Sequence, residues 1–378
     1  MKSINKLLLI MLVAIGVTGG FISCKKDSTP TPTISYVRIT RPQSSDSLLA
    51  GANQGQLIAI IGNNLQDAVE VWFNDQQARL TPTYITSTSL LVSVPSQIPK
   101  SVTNKIKIIF KNGYVLLYDF EVQISKPVLA SMVSEFVNDG SIATIRGNYF
   151  YEPLTVTMTG GKVAQLVSVK DNEIQFTVPA GSQPGQITVK TNFGETKSDF
   201  WFRDPRNHFI DSDPYEGWHE AALVVSNPGP NDPPKISGNY IRVNKFLAAW
   251  SWNEIADGPA DQMPNHSKNI PDDAILNPQN YNLKFEVNTI KPYNNGMIRI
   301  NAGTSVQDQT NYQWKPPFDT HGQWQTVVIP YEEVFNSYTV KPTVNPNGYW
   351  AMILMQGPGD LDADISFDNF RIVPKVSK

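Results

Sequence analysis

Apolar and polar residues alternate with a period of two along most of this chain, in short runs separated by Gly, Pro, Asn and Asp. A period of two places every second side chain on one face, so these runs predict half-buried β-strands joined by turns. One pattern occurs twice. G-Q-L-I-A-I-I-G-N-N-L at 55–65 returns as G-S-I-A-T-I-R-G-N-Y-F at 140–150, with the same spacing between its glycines. Each copy is followed by an apolar strand, 69–73 or 154–158, and then by an alternating strand that ends in Val-Pro, at 91–95 or 175–179. A last pair of strands closes each copy around Asn112 and Gly113, or around Asn192, Phe193 and Gly194, which read as hairpin turns. Turn signals at this pitch predict two small β-sandwiches, over 34–124 and 125–205. Pro127 and Pro205 fall at their boundaries, where a fixed φ stiffens the join.

The remaining part, 206–378, contains Trp218, Trp250, Trp252, Trp314, Trp324 and Trp350. Its pattern predicts strands near 240–243, 247–252, 281–287, 297–301, 325–329, 350–355 and 365–373. No long apolar run with a helical period interrupts them, so a single jelly-roll-like β-sandwich is expected. The stretch 239–254 holds its clearest aromatic pattern. Phe246, Ala248, Trp250 and Trp252 alternate, and in an extended strand all four point to one side. Two readings follow. Either the tryptophans form a flat apolar platform for the CH-rich face of a sugar, with Asn253 and Glu254 taking hydroxyls, or the face is core. Trp324 and Trp350 lie in alternating strands and read as core.

Charge and composition narrow the function. A net charge of -3 and a pI near 5.9 give no electrostatic footprint for nucleic acid. Four dispersed histidines and one cysteine argue against a Cys/His zinc cluster, and neither a cofactor nor a resident metal is expected. Asp211, Asp213, Asp364 and Asp368 could meet and hold Ca²⁺ through hard oxygen ligands, with solvated turn carboxylates as the plainer reading. The N-terminus has Lys2 and Lys6 before a short apolar run, 7–17, too short to span a bilayer. The single cysteine, Cys24, follows Ser23 just past that run, which resembles a bacterial lipoprotein cleavage box. This implies a signal peptide over 1–23, lipidation of Cys24, and a Pro/Thr tether over 24–33. With no other thiol, the mature chain would be held by packing alone.

The repeated glycine element resembles the immunoglobulin-like IPT/TIG fold. D-I-S-F-D-N-F-R-I-V at 364–373 looks like the closing strand of carbohydrate-binding sandwiches, and H-G-Q-W-Q-T-V-V-I-P at 321–330 is similar to another part of them. The order of signal, cysteine, two repeats and final domain resembles surface glycan-binding proteins of Bacteroidetes polysaccharide-utilisation loci, nearest to the B-type members that bind β-glucans such as xyloglucan. The resemblance implies an all-β chain of two tandem IPT/TIG sandwiches and a larger carbohydrate-binding sandwich. It also implies a lipid-anchored protein at the outer membrane, facing outward, that captures a polysaccharide such as xyloglucan or mixed-linkage glucan. A TonB-dependent transporter and its SusD-like lipoprotein are the implied partners. Carried over residue by residue, the glycan-binding candidates are Trp218, Trp250, Trp252, Tyr312 and Trp314. Trp218 reads equally as a cap on the core, and Tyr312 with Trp314 reads as an exposed pair in a polar loop. Pro317 and Phe318 depart from the family pattern after Trp314, which leaves the sugar open. Neither repeat has a paired aromatic platform, so both are expected to act as spacers. A glycosidase needs two carboxylates facing one cleft. Glu216, Glu220, Glu254, Glu286, Glu332 and Glu333 show no such pairing, so a non-catalytic binder is expected, with an adhesin or structural surface lipoprotein as the alternative and a hydrolase behind it.

Overall fold

A computed structural model describes residues 30–41, 47–217, 221–303 and 311–375. Cys24 and the leader lie outside the described residues. The chain divides into two compact units, Met1–Ile124 and Ser125–Lys378.

The first unit is a β-sandwich. Strands Thr33–Ile39, Leu57–Asn63 and Ser89–Ser93 form one sheet, and Gln76–Ala78, Ala68–Phe73, Lys105–Phe110 and Val115–Asp119 form the other. The period of two decides what is inside. In K-I-K-I-I-F, Ile106, Ile108 and Phe110 are buried against Ile58, Ile60, Leu90 and Val71, while Lys107 and Ile109 lie on the other face. The conserved spacing of glycines between the two copies has a steric cause. At Gly62 an added Cβ would sit 1.9 Å from the Thr33 carbonyl oxygen, and at Gly147 the same distance from that of Val128. Both lie opposite a β-bulge in the neighbouring strand, between Ile34 and Tyr36 and between Leu129 and Ser131. Only glycine tolerates such a close backbone approach.

The second unit joins two sandwiches. The smaller one has a sheet of Val128–Met132, Ile142–Asn148, Glu173–Thr177 and Gln165–Lys170 facing a sheet of Leu154–Thr157, Gly185–Thr191 and Gly194–Phe202. The larger one pairs two antiparallel sheets. One runs Val224–Val225, Tyr240–Leu247, Leu361–Pro374, Tyr281–Thr289, Gln325–Pro330, with His208–Ile210 also on the long strand. The other runs Asn253–Gly258, Ala351–Met355, Ile298–Ala302, Tyr312–Trp314. Leu283, Phe285, Val287, Ile300, Ile353 and Phe367 fill the space between them. The described chain is nearly all β, as expected, with two short α-helices, Asp272–Leu276 and Tyr331–Ser337, and the strand expected at 247–252 does not form. Tyr240–Leu247 ends there, and the next strand begins at Asn253.

The two central strands, Tyr281–Thr289 and Leu361–Pro374, are buried on both faces almost throughout. Their inner face meets the core. Part of the outer face meets residues 133–138 of the smaller sandwich. There the Thr326 N–H donates to the Val133 carbonyl at 2.9 Å, and the Glu135 N–H donates to Thr326 Oγ1 at 2.7 Å. Asn138 Nδ2 donates to the Lys235 carbonyl at 2.7 Å. Four charges are sealed in this seam. Glu135 accepts from Lys284 Nζ at 2.6 Å and from Arg371 Nη2 at 2.7 Å, and Glu286 accepts from the same Nη2 at 3.0 Å. Thr326 Oγ1 donates to Glu286 at 2.7 Å, and the Arg371 guanidinium lies over the Phe136 ring, 5.0 Å from its centroid. Burial, with the Glu135 charge close by, pushes Glu286 above the usual carboxylate range despite Arg371 and Thr326. Burial alone would draw Arg371 down; Glu286 and Glu135 hold it above its ordinary value. The smaller sandwich is therefore structurally continuous with the larger one.

Candidate functional site

Between Tyr240–Leu247 and Asn253–Gly258 the chain turns, and this turn holds the two tryptophans. The Ser251 N–H donates to the Ala248 carbonyl at 3.0 Å, and Ser251 Oγ donates to the same oxygen at 2.6 Å. The turn is moored to the loop at 356–360. The Trp250 N–H donates to the Gly357 carbonyl at 2.7 Å, and the Ala249 N–H donates to Asp360 Oδ1 at 2.8 Å. Trp250 itself has φ +58°, in the left-handed region. For a residue with a Cβ this costs about 1–2 kcal/mol, and positions of this kind cluster where a side chain must be aimed.

The indoles face solvent: Trp250 is 57% exposed and Trp252 50%. The alternation therefore marks an exposed aromatic surface rather than core. The Trp252 Nε1–H donates to Glu254 Oε1 at 2.6 Å. That is the only polar group of the ring, so the ring is pinned by its edge while half of its surface stays open. Asn253 Nδ2 donates to Ser251 Oγ at 2.8 Å. Asn253 and Glu254, expected to take sugar hydroxyls, thus brace the turn.

Tyr312 and Trp314 depart from the expected exposed loop. They form an edge strand, Tyr312–Trp314, in which Ile300 pairs with Tyr312 and Ile298 with Trp314. The period of two sends both side chains toward the core, and both are half-buried against it. Trp314 sits among Phe285, Tyr293 and Phe318, with ring centroids 5.3, 5.3 and 5.0 Å away. Burial, with Glu333 nearby, raises the Tyr312 phenol above its usual value. Trp218 lies outside the described residues. Trp324 is buried as expected, its indole N–H donating to the Pro234 carbonyl at 2.8 Å. Trp350 is half-buried.

Several of the carboxylates considered for metal or catalysis have protein partners. Arg242 binds Asp364 at 2.9 and 3.0 Å, and the Asn239 N–H binds Asp213 at 2.9 Å. Burial alone would raise Asp211, but the hydrogen bond from His208 at 3.0 Å holds it below the ordinary range. Glu216 is bound by His266 Nδ1 at 2.9 Å and by Asn265. Asp368 accepts the Asn369 N–H at 2.8 Å. Burial, with Asp211, Glu286 and Asp213 around it, pushes its pKa well above the usual carboxylate value. Among the described residues, no three His, Cys, Asp or Glu side chains are placed to hold one metal ion.

Sequence reasoning missed one member of this region. Phe246, on the strand before the turn, is 64% exposed. It belonged to the same alternation, and the signal was available, but Phe246 had served only as an argument for core.

The family model described as surface glycan-binding protein B xyloglucan binding domain matches residues 202–374. The IPT/TIG domain model matches 48–122 and 127–202. A curated IPT/TIG domain-containing protein of Bacteroides ovatus is 27% identical over 232 residues, covering 54% of this chain and 47% of its own length. The chain thus spans about half the length of that relative. The crystal structure of surface glycan-binding protein PbSGBP-B from Prevotella bryantii superposes with a TM-score of 0.67 at 25% identity, over 91% of this chain and 99% of that one. A surface glycan-binding protein B from a complex xyloglucan utilization locus in Bacteroides uniformis gives a TM-score of 0.49 at 18% identity, over 91% and 100% of the two chains.

Proposed function

We propose that this chain, which matches models of the IPT/TIG domain and of the surface glycan-binding protein B xyloglucan binding domain, captures a β-glucan chain at the cell surface through Trp250 and Trp252. The observation that carries this reading is the pair of exposed indoles on a turn held in a strained conformation. A protein with no use for them would bury them or replace them. A sugar ring has one face of C–H groups, and that face loses water favourably against an indole. Xyloglucan and mixed-linkage glucan share a backbone of such rings, and both are candidate ligands. Tyr312 and Trp314 act from beneath the second sheet. Trp314 stiffens the edge strand from within the core, and Tyr312, half-buried beside it, is kept as a ring contact on the family resemblance. Trp218 is retained as a third platform on the family resemblance alone.

The role is capture without cleavage. The described carboxylates beside the tryptophans are engaged, Glu254 by the Trp252 indole and Asp360 by the Ala249 N–H. Lipidation at Cys24 would anchor the chain in the outer membrane and present both units outward. Hand-over to a TonB-dependent transporter and its SusD-like lipoprotein is the corresponding partnership, tested by co-purification from membranes.

The deciding experiment is affinity electrophoresis and calorimetry of the full chain with xyloglucan and mixed-linkage glucan, alongside Trp250→Ala and Trp252→Ala. Each single variant is expected to weaken binding by about tenfold, the value of one ring stack, with an unchanged melting curve. Wild-type affinity in both variants overturns the reading. A reducing-sugar assay on the same glucans, expected flat, checks the absence of cleavage.

A further inference from the structure

We infer that the glucan-binding surface continues past the tryptophans onto Phe246, where a cleft takes a further neutral sugar residue of the same chain; this rests on the proposed function. The strand Tyr240–Leu247 alternates except at Lys245, which stands half-buried at a position on the core-facing side. Ile241, Val243 and Leu247 point into the core, and Phe246 points to the opposite, outer face. On most of that face polar residues are found: Arg242 and Asn244 occupy the equivalent positions. A phenylalanine there gains no core packing. It is 64% exposed, more than either tryptophan.

The ring borders an open cleft of about 560 Å³, lined by Phe246, Lys291, Asn294, Asn295, Asp360 and Asp362. Phe246 is paired with Asp362 across the strands, and Lys291 Nζ binds Asp362 Oδ1 at 2.7 Å. An aromatic face ringed by carboxylates, amides and an ammonium is the chemistry that recognises a hydroxyl-rich ring. Two carboxylates against one lysine leave the cleft with a formal excess of negative charge, so an acidic sugar is disfavoured and a neutral one fits.

The cleft is physically continuous with the turn. Asp360 lines it and also accepts the Ala249 N–H at 2.8 Å. Phe246 and Trp250 are four positions apart in the chain, so their Cα atoms lie at most about 14 Å apart, the span of a few sugar residues. Gly359 fits here too. A Cβ at that position would come 2.3 Å from the Asn295 amide, so its absence lets that side chain lie across the loop.

The test is calorimetry of the full chain with cellotriose, cellohexaose and xyloglucan polymer, comparing wild type, Phe246→Ala and Trp250→Ala. Phe246→Ala is expected to weaken cellohexaose and polymer by about tenfold while leaving cellotriose as in wild type, with an unchanged melting curve. Three outcomes overturn the inference. Wild-type binding of all three ligands removes Phe246 from the surface. An equal loss on short and long ligands makes it part of the primary platform instead of an extension. Binding of none of them by the wild type removes the surface altogether. Trp250→Ala separates the two readings. If it loses affinity while Phe246→Ala does not, the proposed function stands and only the extension falls; if it and Trp252→Ala both bind as wild type, the proposed function itself fails.

Discussion

Two regions of the unit Ser125–Lys378 invert the ordinary arrangement in opposite ways. At the turn before Asn253, large apolar rings stand in water. At the seam of the two sandwiches, Glu135, Lys284, Glu286 and Arg371 stand out of it, none more than 7% exposed in its side chain. Exposing an indole forgoes a favourable burial, and burying a charge carries a desolvation cost. Each arrangement is explained by a partner. The buried charges have theirs within the chain. The exposed rings keep half or more of their surface in water, and the function proposed above gives that surface to a ligand.

The largest expected effect is at the joint. Glu135→Ala leaves Lys284 and Arg371 short of a carboxylate in a buried seam, and breaking such a buried pair costs about 3–5 kcal/mol. Chemical denaturation of the full chain measures this. Glucan binding by the fraction that remains folded is expected to match wild type, which separates joint from surface. A loss below about 1 kcal/mol, as at an exposed pair, would mean that water enters the seam.

A pH effect at the same joint follows from Asp368. Its pKa is raised in the folded chain, by burial and then by Asp211, Glu286 and Asp213. A raised group contributes its full stability below the unfolded value of about 3.9 and loses it as pH climbs through the folded value. Asp368→Asn copies the neutral carboxyl, so its stability is expected to fall less steeply from acid toward neutral pH than that of wild type. Thermal melts at several pH values test this, and parallel curves would refute it.

At the surface, Trp250→Ala combined with Trp252→Ala is expected to reduce glucan binding by about a hundredfold, two ring stacks, with stability within about 0.5 kcal/mol of wild type, as for exposed sites. A melting point lowered as for a buried tryptophan, about 3–5 kcal/mol, would make the turn part of the core and erase the contrast. The finest test is Trp250→Gly. Glycine adopts positive φ freely, so this variant should gain about 1 kcal/mol of stability while losing affinity. A loss of stability instead would show that the turn is held by ring packing and carries no strain.

Much of the molecule was legible from local pattern. The period of two identified the strands around Ile106 and Phe285, the repeated glycines located the two small sandwiches, and Trp324 was read as core. These features depend on neighbours a few residues apart, where sterics leave few choices. Pattern alone misjudged the ends of elements. It carried the strand through Trp250, although the chain turns after Leu247, because exposed aromatics in a turn can mimic the alternation of a strand. It also left Trp314 in a loop, although pairing with Ile298 draws that residue onto Phe285. The joint was out of reach altogether. Glu135 and Arg371 are 236 residues apart, and nothing in either segment names the other. The sequence by itself determined which faces are apolar, hence the sandwiches and their cores. The tertiary structure alone decided what covers each face: the smaller sandwich over Glu286 and Arg371, and only solvent over Phe246, Trp250 and Trp252, because burial depends on residues that the fold, not the chain order, brings together.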